Sequence, residues 1–128
     1  MKTVLITGVS RGIGKALAER FLANGDEVIG TSTGGKADLQ NPNLTVFALD
    51  LSKPESIEDA VQQIRAFGKN IDILINNAGM VSDEEENEER IRMDYLRRTL
   101  EVNLFGTIDF TERVLPLLRE GGHIINMS

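Results

Sequence analysis

The sequence predicts an α/β fold: a doubly wound parallel sheet of five strands in the order 3-2-1-4-5, within a single domain over residues 1–128. Three observations carry that prediction. Short runs rich in Val, Ile, Leu and Thr alternate along the chain with longer stretches of helical periodicity. The fourth of these runs, "IDILIN", is nearly continuous in apolar residues, as a strand is when helices cover both faces of a parallel sheet. The first run breaks directly into a glycine-rich turn that opens a helical stretch, the junction at which open α/β sheets hold their ligands.

The first strand is "TVLIT" at 3–7, followed by "GVSRGIG" and a helix in "KALAERFLA", where Ala16, Leu17, Phe21 and Leu22 fall on helical spacing. Asn24 and Gly25 supply its stop. "EVIGTST" at 27–33 is the second strand and "LTVFAL" at 44–49 the third; "GGKADLQNPN" between them is too turn-rich for a helix of ordinary length. Ser52, with Pro54 after it and Glu55 three residues on, reads as a capping box opening a second long helix. Ile57, Ala60, Val61, Ile64 and Phe67 make the buried stripe of that helix. "IDILIN" at 71–76 is the fourth strand, a long helix runs from about Glu89 to Leu118, and "GGHIINM" turns into a fifth strand. The run "DEEENEE" at 83–89 holds six acids in seven residues. It suits a solvated helix start at the positive end of the helix dipole, or else a cationic partner.

Composition narrows the function. Hydrophobic content of 41% with 27% charged residues is ordinary for a soluble domain, and no apolar run approaches the roughly 20 residues of a membrane span. "MKTVLITG" lacks the long apolar core and cleavage site of a secretory signal, so the expected compartment is cytoplasmic. With no Cys and only His123, disulfides and thiolate metal sites are excluded and no cluster of His ligands can form, so no metal is expected. A net charge of −6 repels nucleic acid. Any phosphate bound here must be held locally.

"TGVSRGIG", Thr7 to Gly14, offers such a local seat because strand, turn and helix follow in the order it requires. Gly8 lets the chain turn sharply off the strand, Gly12 lets the backbone approach a pyrophosphate, and Gly14 lets the helix pack close to the sheet. Unpaired N–H groups of the first helical turn, around Gly12 and Ile13, face the phosphates, with Ser10 and Arg11 beside them. The helix dipole adds about 0.3–1 kcal/mol. This is the pattern of a Rossmann-type dinucleotide site; a mere tight turn is the plainer reading. Sites that prefer NAD place an acid at the end of the second strand, where this chain has Ser32 and Thr33. Arg11 can instead reach a 2′-phosphate in a charge-assisted bond worth about 1.5–3 kcal/mol, which favours NADP (NADPH) over NAD. A solvated Arg11 is the alternative, and NAD stays possible. Asp50, followed by Leu51, stands at the sheet's carboxyl edge, either accepting from the adenine amino group or acting as a strand-end turn acid.

Six motifs now stand in order: "TGVSRGIG" at 7–14, "VIGTST" at 28–33, "LDLS" at 49–52, "NNAG" at 76–79, "VNLFG" at 102–106 and "GGHIINMS" at 121–128. On these the chain resembles the single-domain short-chain dehydrogenases/reductases (SDRs), most nearly their carbonyl reductase and β-ketoacyl-ACP reductase branch. The resemblance covers residues 1–128 without a large insertion. It implies an NADP-dependent oxidoreductase that transfers hydride between the nicotinamide and a small-molecule carbonyl or alcohol substrate. It also implies that Asn77, Ala78 and Gly79 contact the ribose and nicotinamide side while Asn76 and Asn77 brace the sheet. Asn103 has poor intrinsic helix preference, so its place mid-helix in "EVNLFG" asks for a reason. By resemblance it is the catalytic Asn, whose backbone carbonyl at a local helix irregularity holds a water of the proton relay; a helix-surface Asn is the other reading.

Enzymes of this kind use a Tyr as general acid, a Lys four residues later to lower its pKa, and a Ser to hold the substrate oxygen. Tyr95 is the only Tyr here, Thr99 stands four residues on, and Tyr95 precedes the fifth strand where the family's Tyr follows it. Tyr95 therefore reads as a helix packing residue. "NMS" aligns Ser128 with the first of the family's paired Ser or Gly–Ser residues, the second being catalytic; a shift of one would make Ser128 the substrate Ser. The expectation is the amino-terminal, cofactor-binding portion of an SDR, inactive by itself. A dinucleotide-binding module without chemistry and a bare scaffold are the competing readings. The resemblance further implies a homodimer or homotetramer paired through the long helix after "NNAG", with Tyr95, Leu100 or Phe110 buried between subunits.

Overall fold

The computed structural model describes residues 1–79 and 93–127, without the side chain of Tyr95. The acidic run at 83–89, Ser128 and the packing role expected of Tyr95 lie outside the described residues. The sheet is parallel, built from β1 (Thr3–Thr7), β2 (Glu27–Ser32), β3 (Leu44–Ala48), β4 (Ile71–Asn76) and β5 (Leu118–Asn126). Its order is β3-β2-β1-β4-β5, as the alternation of strands and helices predicts. Among the described residues the α-helices are α1 (Gly12–Ala23), α2 (Pro54–Phe67), α3 (Met93–Leu100) and α4 (Thr107–Val114), with a π-helical segment at Glu101–Gly106 joining the last two.

Val4, Leu5 and Ile6 in β1 are fully buried because the central strand has a helix layer on each side. Strand periodicity sends Leu5 to one face, with Ile29, Leu74, the α2 residues Ile57, Ala60, Val61 and Ile64, and Phe110 and Val114 of α4. Val4 and Ile6 point to the other, with Val28, Ile75, and Ala18 and Leu22 of α1. The stripe expected on α2 is therefore the stripe observed, with Phe67 partly buried at its end against Phe47.

Several expectations are corrected. Helix α1 begins at Gly12, inside the turn, and buries Gly14, Ala18 and Leu22 at intervals of four, which leaves Ala16 exposed. The residue capping α2 is Lys53, without a side-chain bond, although Pro54 does take the first turn. Ser52 is drawn backwards instead, its Oγ donating to Asp50 Oδ1 at 2.6 Å, so no capping box forms. The helix expected to reach Leu118 stops at Val114 and tightens into a 3₁₀ turn at Leu115–Leu117. Pro116 accounts for this, because it lacks an N–H and its ring clashes with the preceding turn. Strand β5 consequently starts at Leu118, pairs with Ile71, and resumes at His123 opposite Ile73 after an irregularity in register. Phe110 is fully buried within this chain's own core, so it is not available to a subunit interface, whereas Leu100 is 42% exposed. Among the described residues no helix is long and apolar enough to cross a membrane.

Candidate functional site

The turn between β1 and α1 is held against the neighbouring strand by backbone. Gly8 and Val9 donate their N–H groups to Thr31 O at 3.0 and 2.9 Å. Gly8 and Gly12 take φ values of 77° and 61°, a region costly to any residue with a Cβ. A Cβ on Gly12 would meet nothing within 4 Å, so the backbone there faces open space that a ligand can enter. On Gly14 it would run into Gly8 O and Asn77 Nδ2. Two glycines of one motif thus meet opposite demands, open approach at Gly12 and tight packing at Gly14. The first helical bond of the turn runs from Lys15 N to Arg11 O at 3.3 Å, so the N–H groups of Gly12, Ile13 and Gly14 lie ahead of the helical ladder. Ser10 and Arg11 are exposed beside them, and Arg11 makes no side-chain capping bond.

The end of β4 is stitched to this turn. Thr7, 1% exposed, accepts through Oγ1 from the backbone N–H of both Asn77 and Ala78 at 3.0 Å. Asn77 Nδ2 donates to Gly8 O at 3.0 Å. Buried Asn76 donates through Nδ2 to Thr111 Oγ1 at 3.0 Å and to Asn126 Oδ1 at 2.9 Å, tying β4 to α4 and β5. The two Asn side chains brace the sheet ends, as the resemblance implies. Sequence reasoning passed over Thr7, whose signal was a hydroxyl immediately before the glycine turn. Thr111 and Asn126 gave no signal, because they lie 35 and 50 residues from their partner.

A cleft of about 760 Å³ opens at these strand ends, walled by Ile13, Asn77, Ala78, Gly79 and Asn103, and by Thr107, Thr111 and Asn126 further along. Asn103 sits in the π-helical segment, and a Cβ on Gly79 would lie 3.2 Å from its Oδ1. The helix does depart from α geometry there, a departure frequent at functional sites. Gly106 ends that segment against Leu51 O, where a Cβ would not fit.

The remaining expected residues lie away from the cleft, at the ends of β2 and β3. Ser32 is 6% exposed and its Oγ is already occupied, accepting from Lys36 N at 2.8 Å and donating to Lys36 O at 2.7 Å. Thr33 is exposed next to it. Leu51 packs into the core under α2, 6% exposed. Asp50 Oδ1 accepts from Ser52 Oγ and, at 3.0 Å, from Ser52 N. Chiefly the Ser52 hydroxyl holds the Asp50 carboxyl below its usual range, against partial desolvation and with help from Lys53 and Arg98. Asp50 is thus ionised at neutral pH and can accept from a donor at the sheet edge.

The arrangement fits a dinucleotide by its geometry: open backbone beside a positive-φ glycine, N–H groups ahead of a helix, and a polar strand end facing a cleft that Ile13, Leu104, Ile108 and Met127 also line. Comparison with known proteins agrees. The family model described as short chain dehydrogenase matches residues 2–128. The chain is 40% identical over 130 residues to the short chain dehydrogenase ausX of Penicillium brasilianum, covering 98% of this chain and 50% of that one. It is 38% identical over 134 residues to the 3-oxoacyl-acyl-carrier-protein reductase FabG of Salmonella typhimurium, covering 99% and 54%. A putative short-chain dehydrogenase/reductase from Burkholderia multivorans, solved with bound NADP, superposes at a TM-score of 0.86 with 29% identity, covering 99% of this chain and 58% of that one. The chain spans about half the length of the curated relatives it matches. With the family model covering nearly every residue and the sheet order agreeing, this chain belongs to the short chain dehydrogenase family.

Proposed function

We propose that this chain is the dinucleotide-binding part of an NADP-dependent oxidoreductase that moves hydride between the nicotinamide and a carbonyl or alcohol substrate. The observation that carries the reading is a cleft whose wall joins Ile13 of the first helical turn, Asn77 to Gly79 at the end of β4, and Asn103 of the π-helical segment. In this reading Gly8, Ser10, Arg11, Gly12, Ile13 and Gly14 hold the diphosphate and Asp50 meets the adenine. Thr33 borders the adenosine ribose, and Asn77, Ala78 and Gly79 line the path to the nicotinamide. When bound, the coenzyme supplies the hydride; Asn103 contributes a backbone carbonyl that positions a water for proton movement. The bound NADP of the Burkholderia multivorans relative supports the choice of coenzyme.

Arg11, with no acid at Ser32 or Thr33, favours NADP over NAD. Calorimetric titration with NADPH and NADH tests this: tighter binding of NADPH is expected, and equal affinity refutes the preference. These 128 residues contain no Tyr followed four positions later by Lys, so they are expected to turn over no ketone. Oxidation of NADPH by this chain with a ketone would overturn that assignment. The same sequence fact favours, as second reading, a module that binds the dinucleotide without chemistry. The functional protein is proposed to assemble as a dimer or tetramer and to work in the cytoplasm.

A further inference from the structure

Val9, inside the glycine turn, is fully buried, whereas Ser10, Arg11, Gly12 and Ile13 after it are exposed and Gly14 is buried again. The exposed span is therefore pinned at both ends. Gly14 packs on Gly8 O at one end, and at the other Val9 enters the cluster of Val4, Ile6, Val28 and Ala18.

Gly30 makes the room that Val9 fills. In the sheet register Gly30 lies between Ile6 of β1 and Val46 of β3, on the face that α1 covers. A Cβ on Gly30 would stand 2.6 Å from Val9 Cγ2, 3.0 Å from Cγ1 and 3.3 Å from Cβ. All three atoms crowd the same point, so turning the stiff valine about χ1 would not clear it. The isopropyl group thus occupies a notch that only a glycine leaves open. Val9 N also donates to Thr31 O at 2.9 Å, so backbone and side chain of one residue engage consecutive residues of β2. Both the position and the rotation of the turn are fixed there, one residue before Ser10.

Resting on the proposed coenzyme reading, we infer that Val9 is the positioning residue of the diphosphate seat: lodged on Gly30, it sets where the N–H groups of Gly12 and Ile13 point and does not itself touch the coenzyme. Donors already in place bind an anion without the cost of ordering the turn on its arrival. Affinity for the diphosphate is thereby set from behind, by a buried strand residue. The effect falls on the part common to NADPH and NADH, unlike the selection proposed for Arg11.

The test is calorimetric titration of NADPH and NADH into wild type, Gly30→Ala, Val9→Ala and the double variant, at a temperature where urea unfolding shows each to be folded. Gly30→Ala drives the valine from its notch and is expected to weaken both coenzymes about tenfold, with their ratio unchanged. Val9→Ala adds no atom but loosens the turn, and weakens both about threefold. In the double variant the new methyl takes the space the valine vacates, and affinity returns to within about threefold of wild type. A residue that only filled the core would cost stability and leave the affinity of folded protein alone. Wild-type affinity in Gly30→Ala, a double variant that binds no tighter than Gly30→Ala, or a loss confined to NADPH therefore overturns the proposal and leaves the coenzyme reading intact. If Gly30→Ala does not fold, Val9→Ala decides, and wild-type affinity for both coenzymes there overturns it equally. Wild type that takes up neither coenzyme overturns the coenzyme reading itself.

Discussion

Gly14→Ala tests the packing that shapes the site. The added methyl collides with Gly8 O and Asn77 Nδ2, so it must displace either the turn or the Asn77 amide that donates to Gly8 O at 3.0 Å. Overpacking costs about 1–3 kcal/mol, the lost hydrogen bond about 0.5–1.5 kcal/mol, and the better helix propensity of Ala returns at most about 1 kcal/mol. The net expectation is a loss of about 2 kcal/mol from a total of about 5–15. Urea unfolding of wild type, Gly14→Ala, Asn77→Ala and the double variant measures it, with a falling midpoint at constant m-value. Asn77→Ala costs about 1 kcal/mol in wild type by removing that bond and nearly nothing once Gly14→Ala has broken it, so the two changes are coupled by about 1 kcal/mol. Wild-type stability in Gly14→Ala, or additive losses across the cycle, would refute the reasoning.

Three further outcomes follow from the same geometry. Thr7→Val keeps the shape but removes the acceptor of the Asn77 and Ala78 N–H groups; a stability loss of about 2–4 kcal/mol, read by thermal unfolding, is expected with weakened coenzyme binding. Arg11→Met is expected to weaken NADPH about tenfold and NADH by less than twofold in calorimetric titration, and equal losses for both would remove Arg11 from phosphate selection. The third concerns acid. Buried Asp26 accepts from Lys2 N at 2.9 Å and Asn24 Nδ2 at 3.1 Å, in that order of effect, which lowers its pKa from 3.8. Because the folded pKa lies below the unfolded one, the stabilisation is complete above about pH 4 and is lost as pH falls through the folded value. The stability gap between wild type and Asp26→Asn should therefore narrow below about pH 4, and a gap independent of pH would contradict the assignment.

Much of this molecule could be read from the chain because its signals are local. The strand-turn-helix at Thr7–Gly14, the α2 stripe from Ile57 to Ile64 and the uniformly apolar "IDILIN" each declare themselves within a few residues. What escaped depends on contacts made across the fold. Ser52 and Glu55 match the capping pattern, but Asp50, two residues upstream, competes for the Ser52 hydroxyl and wins. Helical periodicity continues past Val114, yet Pro116 ends the helix and Leu118 finds its strand partner in Ile71. In the proposed site, Ser32 was legible as a residue at the end of the second strand. Its engagement with Lys36 was not, since nothing in a sequence shows which way a buried hydroxyl turns.

The hydroxyl of Thr7 joins groups 70 and 71 positions away in the chain. Neither wall of the proposed seat is finished until the first and fourth strands have found each other, so the seat depends on a long-range pairing and not on the local turn alone. A coenzyme captured there would add its binding energy to that central pairing. It would shield the middle of the sheet from hydrogen exchange more than the exposed end of α1, even though its phosphates rest on α1.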